Sequence, residues 1–439
     1  MAGRKLEGIN VGLMGLGVVG SGVAKVLSEN RAAIAHQVGC PVSIKKILVK
    51  SPEKTRDYAV PDGLLTLNPA DILSDGSISI IIEVIGGETP AEDYIRSAIT
   101  SGKHVVTANK EVMAKHGPEL LGLAKARDVE ILYEASVGGG IPLIGPFKQG
   151  LLANNITAIH AIINGTTNYI LTKMDNEGAD LPEVLREAQL LGYAEADPTN
   201  DIEGIDATYK IAILSSLAFH TTVGPQDIYR EGISRLTAKD FRYARELGYS
   251  IKLLAIAKAD DGKVQVRVHP TFIPQDSILA KVDGVFNAVQ AEGDLVGKVL
   301  FYGRGAGSLP TTSAVLADVI DLAQNIYRGI DHQPTAPMGV IRPIMSVDDI
   351  RTRYYLRMNV ADRPGVLAQI AHILGDAQIS IASVIQKEAD ETAQSAEIVI
   401  MTHNAREKAM QNAIKALKSL NVVSEIGNLI RVEDQHGQL

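Results

Sequence analysis

Apolar and polar residues in the first third of the chain follow the pattern of strands that alternate with helices. Ile9–Met14 is a short apolar run, and Val18–Ser28 continues it with the three-to-four-residue period of a helix. The same order then repeats. Later strands are predicted at 42–49, 79–85, 104–107 and 129–133, and helices at 91–100 and 111–126. This alternation predicts an α/β fold built on a doubly wound parallel sheet.

The pattern changes after Ser136, where the glycine-rich segment 137–142 is predicted to be the hinge into a second domain. Beyond it, mixed α+β structure is expected. Strands are predicted at 156–163, 250–257 and 264–270, with helices between them. The glycines of Gly303–Gly307 then introduce a helix at 311–327, which could pack back on the first domain.

The C-terminal part of the chain has the order strand, helix, strand, strand, helix, strand. The six elements are predicted at 354–360, 365–376, 379–387, 394–402, 405–419 and 422–431. This order predicts a ferredoxin-like βαββαβ module, and the proline-bearing segment His332–Asp349 before it suits a linker. We therefore expect a dinucleotide-binding domain at 1–135 with a return helix at 308–330, a catalytic domain at 136–307, a linker at 331–350 and the module at 351–439.

Composition and charge narrow the possible functions. The chain has 439 residues, of which 46% are hydrophobic and 21% charged, as is usual for a globular protein. A net charge of −8 argues against a nucleic-acid surface. No apolar run reaches membrane-spanning length and the start of the chain is polar, so we expect a cytoplasmic protein without a membrane partner. The single cysteine, Cys40, is expected to be a small buried hydrophobe.

A glycine motif lies between the first strand and the first helix. It reads Gly15, Leu16, Gly17, Val18, Val19, Gly20. Glycines at such a turn let backbone N–H groups approach a pyrophosphate at the helix N-terminus, which predicts a Rossmann-type dinucleotide site. The alternative is a glycine turn that serves only the packing of helix on strand.

The end of the second strand bears on the choice of cofactor. An Asp or Glu at this point usually binds the ribose hydroxyls of NAD, whereas this chain has Lys50 and Ser51, with Lys54 and Arg56 close by. Because a cation there can pair with the extra phosphate, NADP is favoured. A solvated basic loop that tolerates both cofactors is the alternative.

Two lysines have positions suited to proton transfer. Lys110 follows a predicted parallel strand, at the sheet edge where ligands of open α/β sheets bind, and a helix N-terminus does not favour a cation. Lys210 lies four residues after Asp206, so both share one helix face, and apolar residues follow. A lysine at such a boundary can lose water and acquire a lower pKa. The alternatives are a surface lysine and an exposed ion pair.

Two other acidic positions have structural interpretations. Asn200 with Glu203 matches a helix-starting capping box, so Glu203 is assigned to structure. Glu134 precedes the glycine turn, where a carboxylate and backbone carbonyls form a hard-oxygen site plausible for a monovalent cation. Simple capping of the turn by Glu134 is the alternative.

Seven motifs together resemble homoserine dehydrogenase, in its single-function bacterial form with a C-terminal ACT domain. They are GLGVVG from Gly15, VIGGETPA from Val84, VVTANKE from Val105, YEASVGGGIPLI from Tyr133, INGTTNYIL from Ile163, LGYAEADPTNDIEGIDATYK from Leu191 and GRGAGSLPTTSAVLAD from Gly303. The resemblance implies reversible NAD(P)-dependent interconversion of L-homoserine and L-aspartate 4-semialdehyde, a step in threonine, methionine and isoleucine biosynthesis.

The resemblance also implies roles for residues at matching positions. Lys210 and Lys110 would be catalytic, and Gly192, Glu195 and Asp206 would bind the substrate. NADP or NAD would contact the motif residues 15–20 together with Lys50, Gly86, Lys110 and Gly303. A sodium or potassium ion would be held by the Glu134 side chain and the carbonyls of Val137, Gly139 and Ile141.

The segment Asn359–Leu367 is similar to the opening of an ACT domain. Such domains often bind an amino acid between paired modules, which implies an effector site at Asp362, Gly365, Ile379 and Ile381. By resemblance, threonine is the expected feedback effector. Since pairing hides sheet edges, a homodimer or homotetramer is expected.

Two other functions fit the same residues. One is a different NAD(P) oxidoreductase that acts on another amino-acid-derived aldehyde, which a direct assay with homoserine would distinguish. The other is a non-catalytic sensor of dinucleotide and amino acid, in which Lys110, Lys210, Glu195 and Asp206 need not converge.

Overall fold

The computed structural model of the protein describes residues 7–54, 58–330, 342–390 and 394–434. These residues form two compact units. The first contains the described residues of 1–156, 209–226 and 292–341. The second contains those of 157–208, 227–291 and 342–439.

Strands and helices alternate through the first part of the chain, as its hydrophobic pattern predicts. The elements are β1 (Ile9–Met14), α1 (Val18–Glu29), α2 (Arg31–Val38), β2 (Val42–Leu48), β3 (Leu65–Thr66), α3 (Ala70–Leu73), β4 (Ile78–Glu83), α4 (Ala91–Thr100), β5 (His104–Thr107), α5 (Lys110–Ala126), β6 (Ile131–Leu132) and α6 (Ile144–Lys148). The strands pair in parallel in the order β3-β2-β1-β4-β5-β6. The predicted doubly wound sheet is therefore confirmed, and its order reverses between β1 and β4, where such sheets bind ligands.

The middle of the chain is mixed α+β, as predicted. Its elements are β7 (Ile156–Ile162), α7 (Gly165–Glu177), α8 (Leu181–Leu190), α9 (Thr199–Ile202), α10 (Ile205–Ala218), β8 (Tyr229–Arg230), α11 (Ala238–Glu246), β9 (Tyr249–Asp260), β10 (Lys263–Pro274), β11 (Phe286–Gly293) and β12 (Gly297–Arg304).

The remaining elements are a long helix and the predicted βαββαβ module. They are α12 (Ser308–Arg328), β13 (Arg351–Ala361), α13 (Val366–Asp376), β14 (Ile381–Asp390), β15 (Ser395–Thr402), β16 (Ala405–Arg406), α14 (Glu407–Lys418) and β17 (Val423–Val432). Helix α12 packs on α1 in one hydrophobic core that includes Leu13, Val23 and Val319. This approach is close, because a Cβ atom at Gly22 would lie 2.3 Å from Thr312 Oγ1.

In the second unit one sheet runs from the middle of the chain into the C-terminal module. Its order there is β11-β7-β9-β10-β17-β13-β15-β14. The junction is the parallel pairing of β10 with β17, in which Thr271 lies opposite Arg431. The ferredoxin-like module is therefore part of a continuous sheet and is not attached by the chain alone.

Buried ion pairs reinforce this junction. Arg267 Nη2 lies 2.9 Å from Glu433 Oε2, and Arg357 Nε lies 2.8 Å from Asp240 Oδ1, with every one of these side chains under one-tenth exposed. Burial alone would raise the pKa of Glu433, but the hydrogen bond from His160 and the charges of Lys258 and Arg267 hold it well below its usual value. Removing either partner of such a pair leaves a buried charge uncompensated.

Local structure departs from prediction at two places. The capping box at Asn200 and Glu203 is wrong. Helix α9 starts after Pro198, with Asp197 Oδ1 accepting the Thr199 N–H, and Gly204 at φ +74° separates it from α10. The strand predicted at 129–133 covers only Ile131–Leu132, because a 3-10 turn begins at Glu134.

The expected linker is described only in part. Residues 331–341 lie outside the described residues, and with them most of the proline-bearing stretch. The following residues pair with a strand, since Val264 N–H donates to Pro343 O at 3.0 Å and Met345 N–H to Val264 O at 2.8 Å. Among the four described ranges, no helix combines the length and apolar character that crossing a bilayer requires.

Candidate active site

The glycine turn between β1 and α1 is shaped for a ligand that approaches the backbone. Gly15 has φ +102°, and a Cβ at Gly20 would lie 2.1 Å from Gly15 O, so both positions require glycine. Gly17, the N-cap of α1, has no side-chain cap, and a Cβ added there would meet no atom within 4 Å. Open N–H groups at a helix N-terminus favour an anion such as a pyrophosphate. The residues therefore fit a dinucleotide, with Val18 largely exposed beside the turn.

A buried hydrogen-bond network links the ends of β4 and β5. Thr107 Oγ1 donates to Glu83 Oε2 at 2.6 Å and accepts the Asn109 N–H at 3.0 Å. Asn109 Nδ2 donates to Gly87 O at 2.7 Å, next to Gly86, whose φ is +80°. Burial raises the pKa of the Glu83 carboxyl, although hydrogen bonds from Thr107 and the backbone oppose this. The network fixes the Gly86 turn beside the switch point of the sheet.

The basic segment after β2 is at the surface. Lys50 and Lys54 are exposed, and Arg56 lies outside the described residues. An exposed cation near the end of β2 is compatible with an extra cofactor phosphate.

Both predicted catalytic lysines belong to the first unit. Lys110 is the first residue of α5 and is half-buried, with Asn109 as the N-cap. Lys210 is only 8% exposed, on helix α10, so the exposed ion pair considered for it is excluded. Their neighbours in sequence are in contact, because Tyr209 Oη lies 3.4 Å from Glu111 Oε1. The structure therefore brings the start of α5 near the second turn of α10.

Asp206, the substrate-binding carboxylate predicted on α10, belongs to the second unit, where one amide links it to a second carboxylate. Asn164 Nδ2 donates to Asp201 Oδ1 at 2.7 Å and to Asp206 Oδ2 at 2.9 Å. Asn164 is buried and is also the N-cap of α7, since its Oδ1 accepts the Thr167 N–H at 2.8 Å. One amide thus holds two carboxylates in a fixed relative position.

The loop with Gly192 and Glu195 is anchored to the same helix α7. Thr166 Oγ1 donates to Tyr193 O at 2.7 Å, and the Tyr169 and Tyr193 rings are 4.9 Å apart. Gly192 has φ +74°, and the Glu195 side chain is exposed. The loop is therefore held at its backbone, while the Glu195 carboxylate remains accessible.

The surroundings of Glu134 are compatible with both roles considered for this segment, capping and cation binding. The Glu134 carboxylate accepts N–H groups at the start of α6, from Leu143 at 2.5 Å and Gly145 at 2.7 Å among others, which is a capping role. Yet the carbonyl oxygens of Val137, Gly139 and Ile141 accept no hydrogen bond from any described residue. Oxygens of this kind are ligands for a hard cation, so the donor set fits one. No cluster of three His, Cys, Asp or Glu side chains suited to a metal occurs in the described ranges.

The glycine segment Gly303–Gly307 packs against the glycine turn at residues 137–141. A Cβ at Gly139 would lie 2.5 Å from Gly305 O, and a Cβ at Gly303 would lie 3.2 Å from Ile141 Cγ1. Asp318 of α12 accepts the Glu134 N–H at 2.9 Å, and burial raises the pKa of Asp318 to about 7. The residues predicted for cofactor and for cation are therefore neighbours in the first unit.

The predicted effector residues lie at the two ends of α13: Asp362 and Gly365 are at its start, whereas Ile379 N–H donates to Leu374 O in its last turn at 2.8 Å. Gly365 has φ +89° and is its N-cap, and Asp362 N–H donates to Gln394 O at 2.9 Å. Ile379 is buried, and Ile381 begins β14, an edge strand of the sheet, where it lies opposite Thr402. The described residues therefore do not bring these four positions together within one module. Cys40 is buried, as expected.

Comparison with known proteins gives the family. Three family models match the chain. The homoserine dehydrogenase model matches residues 142–320, the model of the homoserine dehydrogenase NAD-binding domain matches 15–134, and the ACT domain model matches 354–422. A homoserine dehydrogenase of Neisseria gonorrhoeae is 43% identical, over 98% of this chain and 100% of the relative. The chain belongs to the homoserine dehydrogenase family. As a homoserine dehydrogenase it is an NAD(P)-dependent oxidoreductase that carries an ACT domain.

Solved structures of homoserine dehydrogenases share the fold. That from Thiobacillus denitrificans superposes with a TM-score of 0.92 at 45% identity, covering 97% of this chain and 98% of that one. A hyperthermophilic archaeal homoserine dehydrogenase in complex with NADPH gives a TM-score of 0.60 at 29% identity, covering 72% of this chain and 97% of that one.

Three residues that organise these groups escaped prediction as site residues. They are Asn109, Asn164 and Asp318. For the two asparagines a local signal exists, because each directly precedes a helical pattern and accepts the N–H three residues on, as an N-cap does. Their other bonds join residues far apart in sequence, which no local pattern displays.

Proposed function

We propose that the protein interconverts L-homoserine and L-aspartate 4-semialdehyde reversibly, in the biosynthesis of threonine, methionine and isoleucine. The family match supports dehydrogenase activity, and the observation that carries the substrate assignment is the Asn164 amide between Asp201 and Asp206. A carboxylate held in place, as Asp206 is by this amide, suits the ammonium group of an amino-acid substrate. Oxidation of L-homoserine, followed by the appearance of reduced cofactor, tests the proposal. Turnover of another amino alcohol in its place would favour the second oxidoreductase function.

The proposed cofactor is NADP, with NAD as the weaker substitute. The residues proposed to hold it are the glycine turn Gly15–Gly20, Gly86, Lys110 and Gly303, with Lys50 near the extra phosphate. When bound, the cofactor supplies or accepts the hydride at the substrate carbon. A higher kcat/KM with NADP than with NAD is expected, and a preference for NAD would contradict the role of Lys50.

The proposed proton path uses the two lysines. Gly192, Glu195 and Asp206 bind the substrate, the two carboxylates through its ammonium group. Lys210, assisted by Lys110, delivers a proton to the carbonyl oxygen during reduction and removes it during oxidation. Burial of Lys210 supports this role, because an alkoxide that develops in a dry site needs a nearby proton donor.

Asn164 provides a test that separates orientation of the carboxylates from helix capping. Asn164→Ser keeps an N-cap but loses the amide that binds Asp201 and Asp206, so the KM for L-homoserine is expected to rise about tenfold. Asn164→Asp also keeps the cap but adds a like charge beside two carboxylates, so its KM should rise further. Steady-state kinetics and thermal denaturation measure both effects.

The matched control is Asn109→Ser, which also replaces an N-cap but contacts neither carboxylate. Its KM for L-homoserine should stay closer to wild type than that of Asn164→Ser. If Asn164→Ser changes only the melting temperature, Asn164 is a helix cap and nothing more.

A sodium or potassium ion is proposed at the glycine turn. The support is the set of carbonyl oxygens of Val137, Gly139 and Ile141, with the Glu134 carboxylate beside them. Because the turn packs against Gly303 and Gly305, a cation there would stiffen the cofactor-binding segment. Turnover in sodium or potassium chloride should exceed turnover in choline chloride at equal ionic strength. Equal rates in all three salts would reject the ion.

Threonine is proposed as a feedback effector that binds at Asp362, Gly365, Ile379 and Ile381. The ACT domain and the left-handed Gly365 turn support this site. Asp362→Ala is expected to raise the threonine concentration for half-inhibition about tenfold and to leave kcat unchanged. Calorimetry in which threonine does not bind the wild-type protein would reject the proposal.

A homodimer or homotetramer is proposed because β14 is an edge strand with Ala382, Ser383 and Val384 exposed. Light scattering measures its mass, and a monomer at micromolar concentration would contradict it. We also propose the domain limits expected from the sequence. They are a dinucleotide-binding domain at 1–135 with its return helix at 308–330, a catalytic domain at 136–307, a linker at 331–350 and the ACT module at 351–439.

A further inference from the structure

Arg431 is fixed inside the ACT module by two hydrogen bonds. It lies on β17, is 1% exposed, and donates from Nε and Nη2 to the two carboxylate oxygens of Glu407 at 2.8 and 2.7 Å. Glu407, the first residue of α14, also accepts a hydrogen bond from Tyr354 Oη at 2.9 Å. Such a paired, charge-assisted contact holds the guanidinium in one orientation.

The remaining hydrogen bonds of Arg431 reach residues outside the module. Nη1 donates to Glu231 Oε2 at 3.0 Å, and Nη2 donates to Tyr229 Oη at 3.0 Å. The guanidinium carbon lies 4.7 Å from the centre of the Tyr229 ring, and Tyr229 Oη donates in turn to Glu231. Arg431 therefore fixes the short segment that begins with β8.

Segment 229–233 packs closely against the turn at residues 202–204, which precedes α10. Ile233 N–H donates to Ile202 O at 2.8 Å, and a Cβ at Gly232 would lie 2.4 Å from the same oxygen. On the other side of the turn, a Cβ at Gly204 would lie 3.2 Å from Val268 Cγ1. The turn is thus in close contact with segment 229–233 and with strand β10.

The same turn carries Asp201 at one end and Asp206, a proposed substrate carboxylate, at the other. Asp201 directly precedes Ile202, and Asp206 is the second residue of α10 after Gly204. Both bind the Asn164 amide, so a shift of the turn must change their position relative to Asn164.

We propose that Arg431 and Glu231 are positioning residues for the substrate, so that the ACT module completes the substrate site through segment 229–233. The inference rests on the proposed substrate role of Asp206. In this proposal Arg431 and Glu231 act indirectly, by holding the turn that orients Asp201 and Asp206.

Two tyrosines provide a matched test on the full chain. Tyr229→Phe removes the hydroxyl that joins Arg431 to Glu231. Tyr243→Phe removes another hydroxyl that bonds to the module, donated to Glu397 Oε1 at 2.9 Å, in a bond that involves neither Arg431 nor segment 229–233. Tyr229→Phe is expected to raise the KM for L-homoserine about fivefold with kcat within twofold, whereas Tyr243→Phe leaves KM unchanged.

A second variant and a second measurement keep the test independent of folding. Glu231→Gln keeps the side-chain shape but weakens the contact with Arg431, so amide hydrogen exchange at residues 202–206 should become faster, as in Tyr229→Phe. Unchanged exchange in both variants, or an equal KM rise in Tyr243→Phe, would overturn the inference.

Failure of this inference can be separated from failure of the proposed function. Asp206→Asn should raise the KM for L-homoserine whether or not the ACT module positions the turn. If it leaves KM unchanged, the substrate role of Asp206 is wrong, and hydrogen exchange at 202–206 still decides whether segment 229–233 holds the turn. If Asp206→Asn raises the KM but Tyr229→Phe and Glu231→Gln behave like wild type, the substrate role of Asp206 stands and only the positioning role of Arg431 and Glu231 is wrong.

Discussion

Replacement of Lys210 by methionine is expected to lower kcat by about 10² to 10⁴-fold, the usual contribution of a positioned acid or base. Methionine keeps the unbranched stem, so a site that is 8% exposed stays filled, but it has no proton to give. Binding of NADPH, measured by fluorescence titration, should remain close to wild type because Lys210 is not proposed to contact the cofactor.

The control for this substitution is Lys173→Met on α7. Lys173 is more exposed and pairs with Glu177 and Glu187 at 2.7 and 3.1 Å, so its loss should leave kcat unchanged. A Lys210→Met enzyme with normal turnover would refute the proposed proton path. A variant that loses NADPH binding as well would show that the lysine acts on structure.

Truncation of the chain after Asp349 is expected to unfold the second unit and not merely to remove regulation. Strand β10 would lose its partner β17, Arg267 would lose Glu433, and Asp240 would lose Arg357. If Arg267 and Asp240 stay buried without these partners, each costs about 3–5 kcal/mol. Two such losses approach the whole stability of a domain, about 5–15 kcal/mol.

The soluble fraction and the thermal denaturation curve measure this outcome, with a chain that ends at Asp434 as the control. The control keeps every buried pair described at the junction, so it should melt like the full chain. A soluble, active enzyme after truncation at Asp349 would show that the junction charges relax or take up water. For this reason the effector proposal is better tested by Asp362→Ala than by deletion of the ACT module.

Much of the architecture follows from local patterns in the sequence. The apolar run Ile9–Met14, the glycine turn and helix α1 succeed each other within a short stretch, so their order alone predicts a nucleotide-binding βα unit. The βαββαβ module is predictable for the same reason. The apolar residues after Lys210 also correctly indicate a buried helix, because Ile211 and Leu214 are fully buried.

Local patterns fail where a polar side chain has several possible partners. Asn200 and Glu203 have the spacing of a capping box, yet Asp197 accepts the first N–H of the short helix α9, which ends before Gly204. Glu134 could be predicted as a ligand or as a cap, and its bonds to Leu143 and Gly145 depend on where α6 starts.

The sequence by itself determined the order of strands and helices, the nucleotide-binding turn and the family, since periodicity and short motifs act over a few residues. Only the tertiary structure decided that Asn164 joins Asp201 to Asp206 and that Arg431 contacts Glu231, 200 residues away. The physical reason is that a buried hydrogen bond depends on distance and desolvation in space, and separation along the chain determines neither.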